Sequence, residues 1–362
     1  MARRRAGLKL SNPIKRWLSR RPERLSGPAG RQRGPATHIV ILDGTMSSLR
    51  EGYETNAGIT FKLLTDSGQS HQQMVYYEKG IQWRDWRGTA DVVVGRGVNR
   101  QIKRAYGWLA NRYRPGDRIV LLGYSRGAYA VRSLAGVIDR VGLVAAQHAT
   151  VRMIRQAYRH YECGPDTPAA QAFAARYCVP EVRIAMVGVW DTVKALGLRL
   201  PIVWRFAKPR HQFHNHALGD HIAQGFHALA LDETRAAYAP VLWSCPEGWS
   251  GQMEQVWFRG THGDIGGQLG GFTEARPLAN IPLVWMLERL EACPVDLPEG
   301  WRARFPMDPE APSVGTFQGY AKLFLNRRRR VVGRDPSESL HPTATGHPMS
   351  GHLEPVAKKA SA

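Results

Sequence analysis

The chain has 362 residues, 43% of them hydrophobic, which is enough for a sizeable core and sets no limit between one large domain and two small ones. No apolar run approaches the ~18 residues of a membrane-spanning helix. The four cysteines show neither CxxC nor Cys/His metal spacing, so a reducing compartment, no cofactor and no metal are expected. The formal charge is +20, and residues 1–36 carry half of it, with nine Arg and two Lys against one Glu.

That first segment reads as a basic, irregular arm. The stretch 8–18 has some amphipathic character, but Pro13 interrupts it. No apolar stretch of a secretory signal follows the charges, and Arg20-Arg21 runs into Pro22-Glu23, unlike a twin-arginine signal. A second basic run, Arg327 to Arg330 with Arg334, lies near the C-terminus. Such clusters attract an anionic membrane surface at about 1 kcal/mol per charge. They also bind nucleic acid non-specifically, but aromatic residues do not interleave with them as a stacking platform requires, so no specific nucleic-acid partner is expected. A cytoplasmic protein, peripheral at the membrane through its arm, is the expected location.

Regular structure begins at His38. Residues 38–42 form a continuous apolar run, the signature of a strand buried on both faces in a parallel sheet. The polar turn Asp43-Gly44-Thr45 ends it. Over 98–113, Ile102, Ala105, Tyr106, Leu109, Ala110 and Tyr113 recur at helical spacing until Pro115-Gly116-Asp117 stops them. A second buried strand follows at 118–122. Directly after Gly127, a helix shows an apolar face of Ala128, Val131, Leu134, Ala135 and Ile138. Further strands are expected at 182–189 and 255–258, and helices at 217–231 and 281–290. Alternating strands and helices predict an α/β fold: one doubly wound, mostly parallel sheet with helices on both faces, over residues 37–333. Residues 334–362, rich in Pro, Ser, His and Lys, are expected to be an irregular tail.

The sharpest motif is Gly123-Tyr124-Ser125-Arg126-Gly127. A GxSxG pattern between a buried strand and an amphipathic helix is the setting of a nucleophile elbow, with Ser125 raised above the sheet edge at a helix N-terminus. A tight or phosphate-binding βα turn is the plainer alternative. A serine hydroxyl needs a base and an orienting acid, which in this fold follow in the order Ser, Asp/Glu, His. Asp191, ending the apolar run 187–190, fits the acid, though an N-cap would use it too. His262, in the loop after 256–258, fits the base, with His341 in reserve; Asp264 is a second acid or a support. The backbone N–H groups of Arg126 and of Gly44 or Thr45 are the candidate oxyanion donors. His211, His214, His216, His221 and His227 crowd one segment but lack the partners of a metal site, and read as solvent-facing or packing residues.

These residues, in order, resemble the α/β-hydrolases related to the catalytic domain of type VI secretion phospholipase effectors. The blocks are LDGT at 42–45, AYGWL at 105–109, PGDRIVLLGYSRGAYAVRSLAG at 115–136, VGVWDTVKALG at 187–197, HALALDETR at 227–235 and VWFRGTHGDIGG at 256–267. The resemblance implies a Ser125–Asp191–His262 triad and phospholipase-like cleavage of a lipid ester. Met46 stands where the family carries an aromatic residue, and Gly266-Gly267-Gln268 where it carries three glycines and an aromatic. The expected function is therefore a serine ester hydrolase acting on a lipid or other ester. A non-catalytic membrane- or polyanion-binding protein that keeps the fold is the alternative.

Overall fold

The computed structural model describes residues 34–66, 72–80, 96–193, 218–245, 248–293, 295–317 and 326–346. Most of the expected basic arm, residues 1–33, lies outside them, as do His211, His214 and His216. Within the unit Pro35–Ala362, nine strands are described: β1 (Thr37–Leu42), β2 (Gln73–Glu78), β3 (Arg118–Tyr124), β4 (Leu143–Val144), β5 (Cys178–Val179), β6 (Ile184–Trp190), β7 (Gln224–Ala230), β8 (Gln252–Phe258) and β9 (Glu338–Leu340). The α-helices are α1 (Asn56–Asp66), α2 (Arg96–Ala110), α3 (Arg126–Val141), α4 (Val151–Cys163), α5 (Pro168–Tyr177), α6 (His262–Gly266) and α7 (Arg276–Ala292).

Seven strands form one sheet in the order β2-β1-β3-β6-β7-β8-β9, every neighbouring pair parallel. This is the α/β architecture the alternating elements predict. Alternation within β1 explains its unbroken apolar run. Val40 and Leu42 join a core with α2, α3 and α4, while Ile39 and Ile41 join the opposite core with α1 and α7. All four are fully buried, each contributing roughly 1.5–3 kcal/mol. From β1 the chain passes outward to β2 and then crosses to β3 on the other side. The C-terminal ends of β1 and β3 therefore flank the point where strand order reverses, the place where open α/β sheets bind ligands.

Two expectations are corrected. The helix expected over 217–231 is instead the strand β7, inserted between β6 and β8. Its run Phe226-His227-Ala228-Leu229-Ala230 contains good helix formers but is buried on both faces. A short apolar segment buried all round carries no period that separates strand from helix. The tail expected to be irregular from residue 334 supplies the edge strand β9, paired with β8 through Glu338, Ser339 and Leu340. Three residues are too few to show a period. The strand is held by the Glu338 carboxylate, which accepts from the N–H groups of Gly333, Arg334, Asp335 and the Trp257 indole. No helix among the described residues is long and apolar enough to cross a membrane.

Candidate active site

The elbow is built by close approach. A side chain on Gly123 would strike the backbone of Ala128 at 2.7 Å, and one on Gly127 would strike the Leu42 carbonyl oxygen at 2.1 Å. Only glycines let α3 start so tightly between β3 and β1. Ser125, at the apex, has φ 57° and ψ −118°, a conformation that costs an L-residue about 1–3 kcal/mol. Asp191 shares the positive φ, at 41°, just past the end of β6. Both are held by continued ladder bonds, Ser125 N–H to the Trp190 carbonyl at 3.0 Å and Asp191 N–H to the Ala228 carbonyl at 2.8 Å.

His262 opens α6, four residues beyond β8. Its Nε2 lies 2.8 Å from Ser125 Oγ and its Nδ1 2.5 Å from Asp191 Oδ2. All three residues are buried. The imidazole is fixed on two sides by aromatic rings, Tyr238 at 4.8 Å and Tyr124 at 5.0 Å between centroids. Its backbone N–H points to Glu233 Oε2 at 3.3 Å, and Glu233 is itself clamped by both ends of the Arg235 guanidinium. His341 is engaged elsewhere: it stacks on Phe258 and accepts from Thr343 N–H, and burial, with the charge of Arg289, pushes it down to about 4. Asp264 is a support. Its carboxylate takes the Thr261 N–H and hydroxyl, the Ser313 hydroxyl and the Val314 N–H, which shapes the loop that carries His262.

Arg330 was not singled out as a site residue, yet it completes the cluster. Its two terminal nitrogens grip Asp191 at 2.6 and 2.9 Å and also donate to the carbonyls of Ala230 and Tyr238. Burial alone would raise the Asp191 carboxyl. The Arg330 charge and the hydrogen bonds from His262 and Arg330 overcome that and hold it well below the usual carboxylate range. In the sequence Arg330 looks like the last member of a solvated basic run; here its side chain is only 4% exposed. His227 is a second hidden support. Fully buried, it accepts the Thr192 N–H at Nε2, so Nδ1 carries the proton toward Gln255. Burial and the charge of Arg132 push it down to about 3.

The turn after β1 closes the other side of the site. A methyl group on Gly44 would stand 3.3 Å from Ser125 Cβ. Asp43 accepts from Gly44 N–H, the Thr55 hydroxyl and the Tyr77 hydroxyl, and burial still pushes its carboxyl up to about 6. Gly44 N–H is thus occupied, 2.6 Å from Asp43 Oδ1. Thr45 N–H has no acceptor among the described residues, and its buried hydroxyl has no partner. Arg126 N–H begins α3 and so lacks an intrahelical partner. Gln268, at the position where the glycine-rich block departs from the family pattern, ties the two loops together by donating to the Thr45 carbonyl while its oxygen meets the Tyr124 hydroxyl.

A family described as the catalytic domain of Tle1-like phospholipase effectors of the type VI secretion system matches residues 37–289. The chain belongs to this family. An uncharacterized protein of Saccharomyces cerevisiae is 28% identical over 240 residues, covering 60% of this chain and 34% of the relative. Two solved structures are similar at 16% identity. One is an uncharacterized protein from Pseudomonas aeruginosa (TM-score 0.41, 81% of this chain and 50% of that one). The other is the Tle1 effector bound to the VgrG spike (TM-score 0.34, 65% and 51%). The chain thus spans about a third of the curated relative and about half of each solved chain.

The Tle1-like stretch contains Asp43, Thr45, Ser125, Asp191, His227 and His262. It ends before Arg330 and β9. The guanidinium on Asp191 therefore comes from a segment beyond the family match.

Proposed function

We propose that the chain is a serine hydrolase that cleaves a carboxylic ester of a lipid. Ser125 is the nucleophile, His262 the general base, Asp191 the acid that orients it, and the N–H groups of Arg126 and Thr45 the oxyanion donors. The observation that carries this reading is the unbroken run of contacts from Ser125 Oγ to His262 Nε2 and from His262 Nδ1 to Asp191. It stands at the sheet edge where the strand order reverses. The family description supplies the lipid.

In the first step Oγ bonds to the ester carbonyl carbon as its proton passes to Nε2, and the carbonyl oxygen becomes the oxyanion. Asp191, accepting from Nδ1–H, stabilises the imidazolium that forms. Collapse breaks the bond to the alcohol oxygen, which leaves with the proton from Nε2. Water then repeats the sequence on the acyl-serine, releasing the fatty acid and restoring the hydroxyl. General base catalysis of this kind contributes about 10²–10⁴-fold and one oxyanion donor about 10²–10³-fold. The occupied Gly44 N–H favours Thr45 over Gly44 for the second donor.

The test is covalent labelling by a fluorophosphonate, followed by peptide mass mapping. An adduct on Ser125 that is lost in His262→Gln is the expected result. Well-folded protein that takes no adduct would instead favour a binding protein that has kept the fold.

A further inference from the structure

A second feature of the molecule lies beside the Asp191 arm of the site. A cavity of about 450 Å³ is lined by Glu233, Arg235, Arg328, Arg329, Arg330 and Arg334, with Asn326 and a few apolar residues. Among the described residues, Glu233 is the one carboxylate of this wall, and Arg235 already neutralises it. Arg330 is neutralised by Asp191. The side chains of Arg328, Arg329 and Arg334 are exposed and have no carboxylate partner among the described residues. The nearest C-terminal acids spend their oxygens elsewhere: Glu338 on backbone N–H groups and Trp257, Asp335 on Cys245 and Ser337. Among the described residues, the wall therefore presents three arginine side chains with no ion-pair partner.

The arginines are also held in place. Arg328 N–H donates to the Thr234 carbonyl and Ala236 N–H to the Asn326 carbonyl, which pins this segment to the loop after β7. Arg334 N–H is fixed by Glu338.

We propose that this cavity is a binding site for a phosphate-type oxyanion, presented either as a free phosphate or as a lipid phosphate headgroup. Guanidinium-bearing residues lining a concave surface suit a tetrahedral anion that can accept several charge-assisted bonds at once. The anion supplies the negative charge that the wall lacks. The inference does not rest on ester hydrolysis at Ser125, so it is tested in the Ser125→Ala chain, where no turnover intervenes.

The probes are inorganic phosphate and pyrophosphate, followed by calorimetry at low ionic strength, and vesicles of phosphatidylcholine with and without phosphatidic acid, followed by flotation. Saturable binding of the soluble anions identifies a free-phosphate site. Binding confined to phosphatidic acid vesicles identifies a headgroup site. Arg328→Ala/Arg329→Ala/Arg334→Ala should weaken either by about tenfold or more. Arg152→Ala/Arg155→Ala/Arg159→Ala removes the same charge from the exposed face of α4 and should retain it. If the triple cavity variant folds poorly, the single exposed change Arg329→Gln is read instead and should weaken binding in the same direction. Binding of neither probe, or equal loss in the cavity and α4 variants, overturns the proposal.

Discussion

The crevice between β1 and β3 and the C-terminal segment 326–340 meet at the same acid, yet they are built in opposite ways. The crevice is assembled from neighbours in sequence. Strand, glycine, Ser125, glycine and helix follow one another, and what reaches outside these five residues is the ladder bond from Ser125 N–H to Trp190 and the packing of Gly127 on Leu42. The C-terminal segment has no such local logic. Arg330 reaches Asp191 across 139 positions, and β9 joins β8 through three residues and one carboxylate. A local motif announces itself wherever it occurs; a long-range clamp exists only once the sheet has formed. The two differ accordingly in what damage to them should look like.

The largest effect is expected from the crevice and should be purely chemical. Ser125→Ala should lower turnover of a short-chain ester by at least about 10⁴-fold, the scale of losing a triad nucleophile. The melting temperature should not fall, because alanine keeps the turn and removes no buried partner other than His262 Nε2. Calorimetry beside an esterase assay separates the two quantities. Substantial residual turnover would remove Ser125 from the chemistry.

Arg330→Met should behave the other way, as damage to both fold and chemistry. It leaves the Asp191 carboxylate buried with only His262, Ala230 N–H and the ladder for company. Removing one partner of a buried ion pair typically costs about 3–5 kcal/mol. The direction with pH follows from Asp191, whose carboxyl is held below its ordinary 3.8 in the folded chain. The stability it contributes is complete above that value and is lost as pH falls further. The gap between Arg330→Met and the parent in urea unfolding should therefore stay wide from pH 7 down to about 4 and shrink only as pH falls below 3.8. Arg330→Lys should recover part of it. A gap that stays constant with pH would mean that the arginine acts through packing rather than through its charge.

How much was legible follows the same division. The strand β1, the elbow, the helix after it and the order Ser125, Asp191, His262 could be read because each rests on a short run with a period or a fixed spacing. The strand β7 was misread as a helix, since a segment buried on both faces shows no alternation. Gly44 and Thr45 were equivalent in sequence, and only the short bond from Asp43 to Gly44 N–H separates them. Arg330 carried no signal, since in a run of four arginines nothing marks the one that is buried. His227 reads in the sequence as solvent-facing or packing, because its crowded segment lacks the partners of a metal site, and its burial between β6 and β8 is a property of the sheet order.

His227 sharpens the comparison further, since it is a long-range support inside the family stretch. Folded, it refuses a proton until about pH 3, while an unfolded chain takes one near the ordinary 6.5. Between these values the unfolded state binds more protons, so this residue lowers stability as pH falls. Asp43 tilts the other way over 3.8 to about 6, because there the folded chain holds the proton. His227→Gln should remove only the first slope, moving the acid-unfolding midpoint to lower pH. At pH 7 it should cost about 1–2 kcal/mol for the altered bond to Thr192 N–H. An unchanged midpoint would mean that other groups set the acid transition.

The smallest effect is expected at β9, and it tests whether the C-terminal segment is more than an appendage. Glu338→Ala removes the acceptor for three consecutive turn N–H groups and for the Trp257 indole. The backbone groups at the sheet edge can turn to water, so the cost should be about 1–2 kcal/mol rather than the sum of four bonds. Amide hydrogen exchange locates the loss. It should rise in 333–340 and in the edge of β8, while β1, β3 and the start of α3 stay protected. If the exchange increase spreads to the Ser125 turn, the segment is part of the site's own framework. If it stops at Trp257, the connection from the C-terminal chain to the crevice runs through Arg330, whose carbonyl contacts at Ala230 and Tyr238 do not depend on β9.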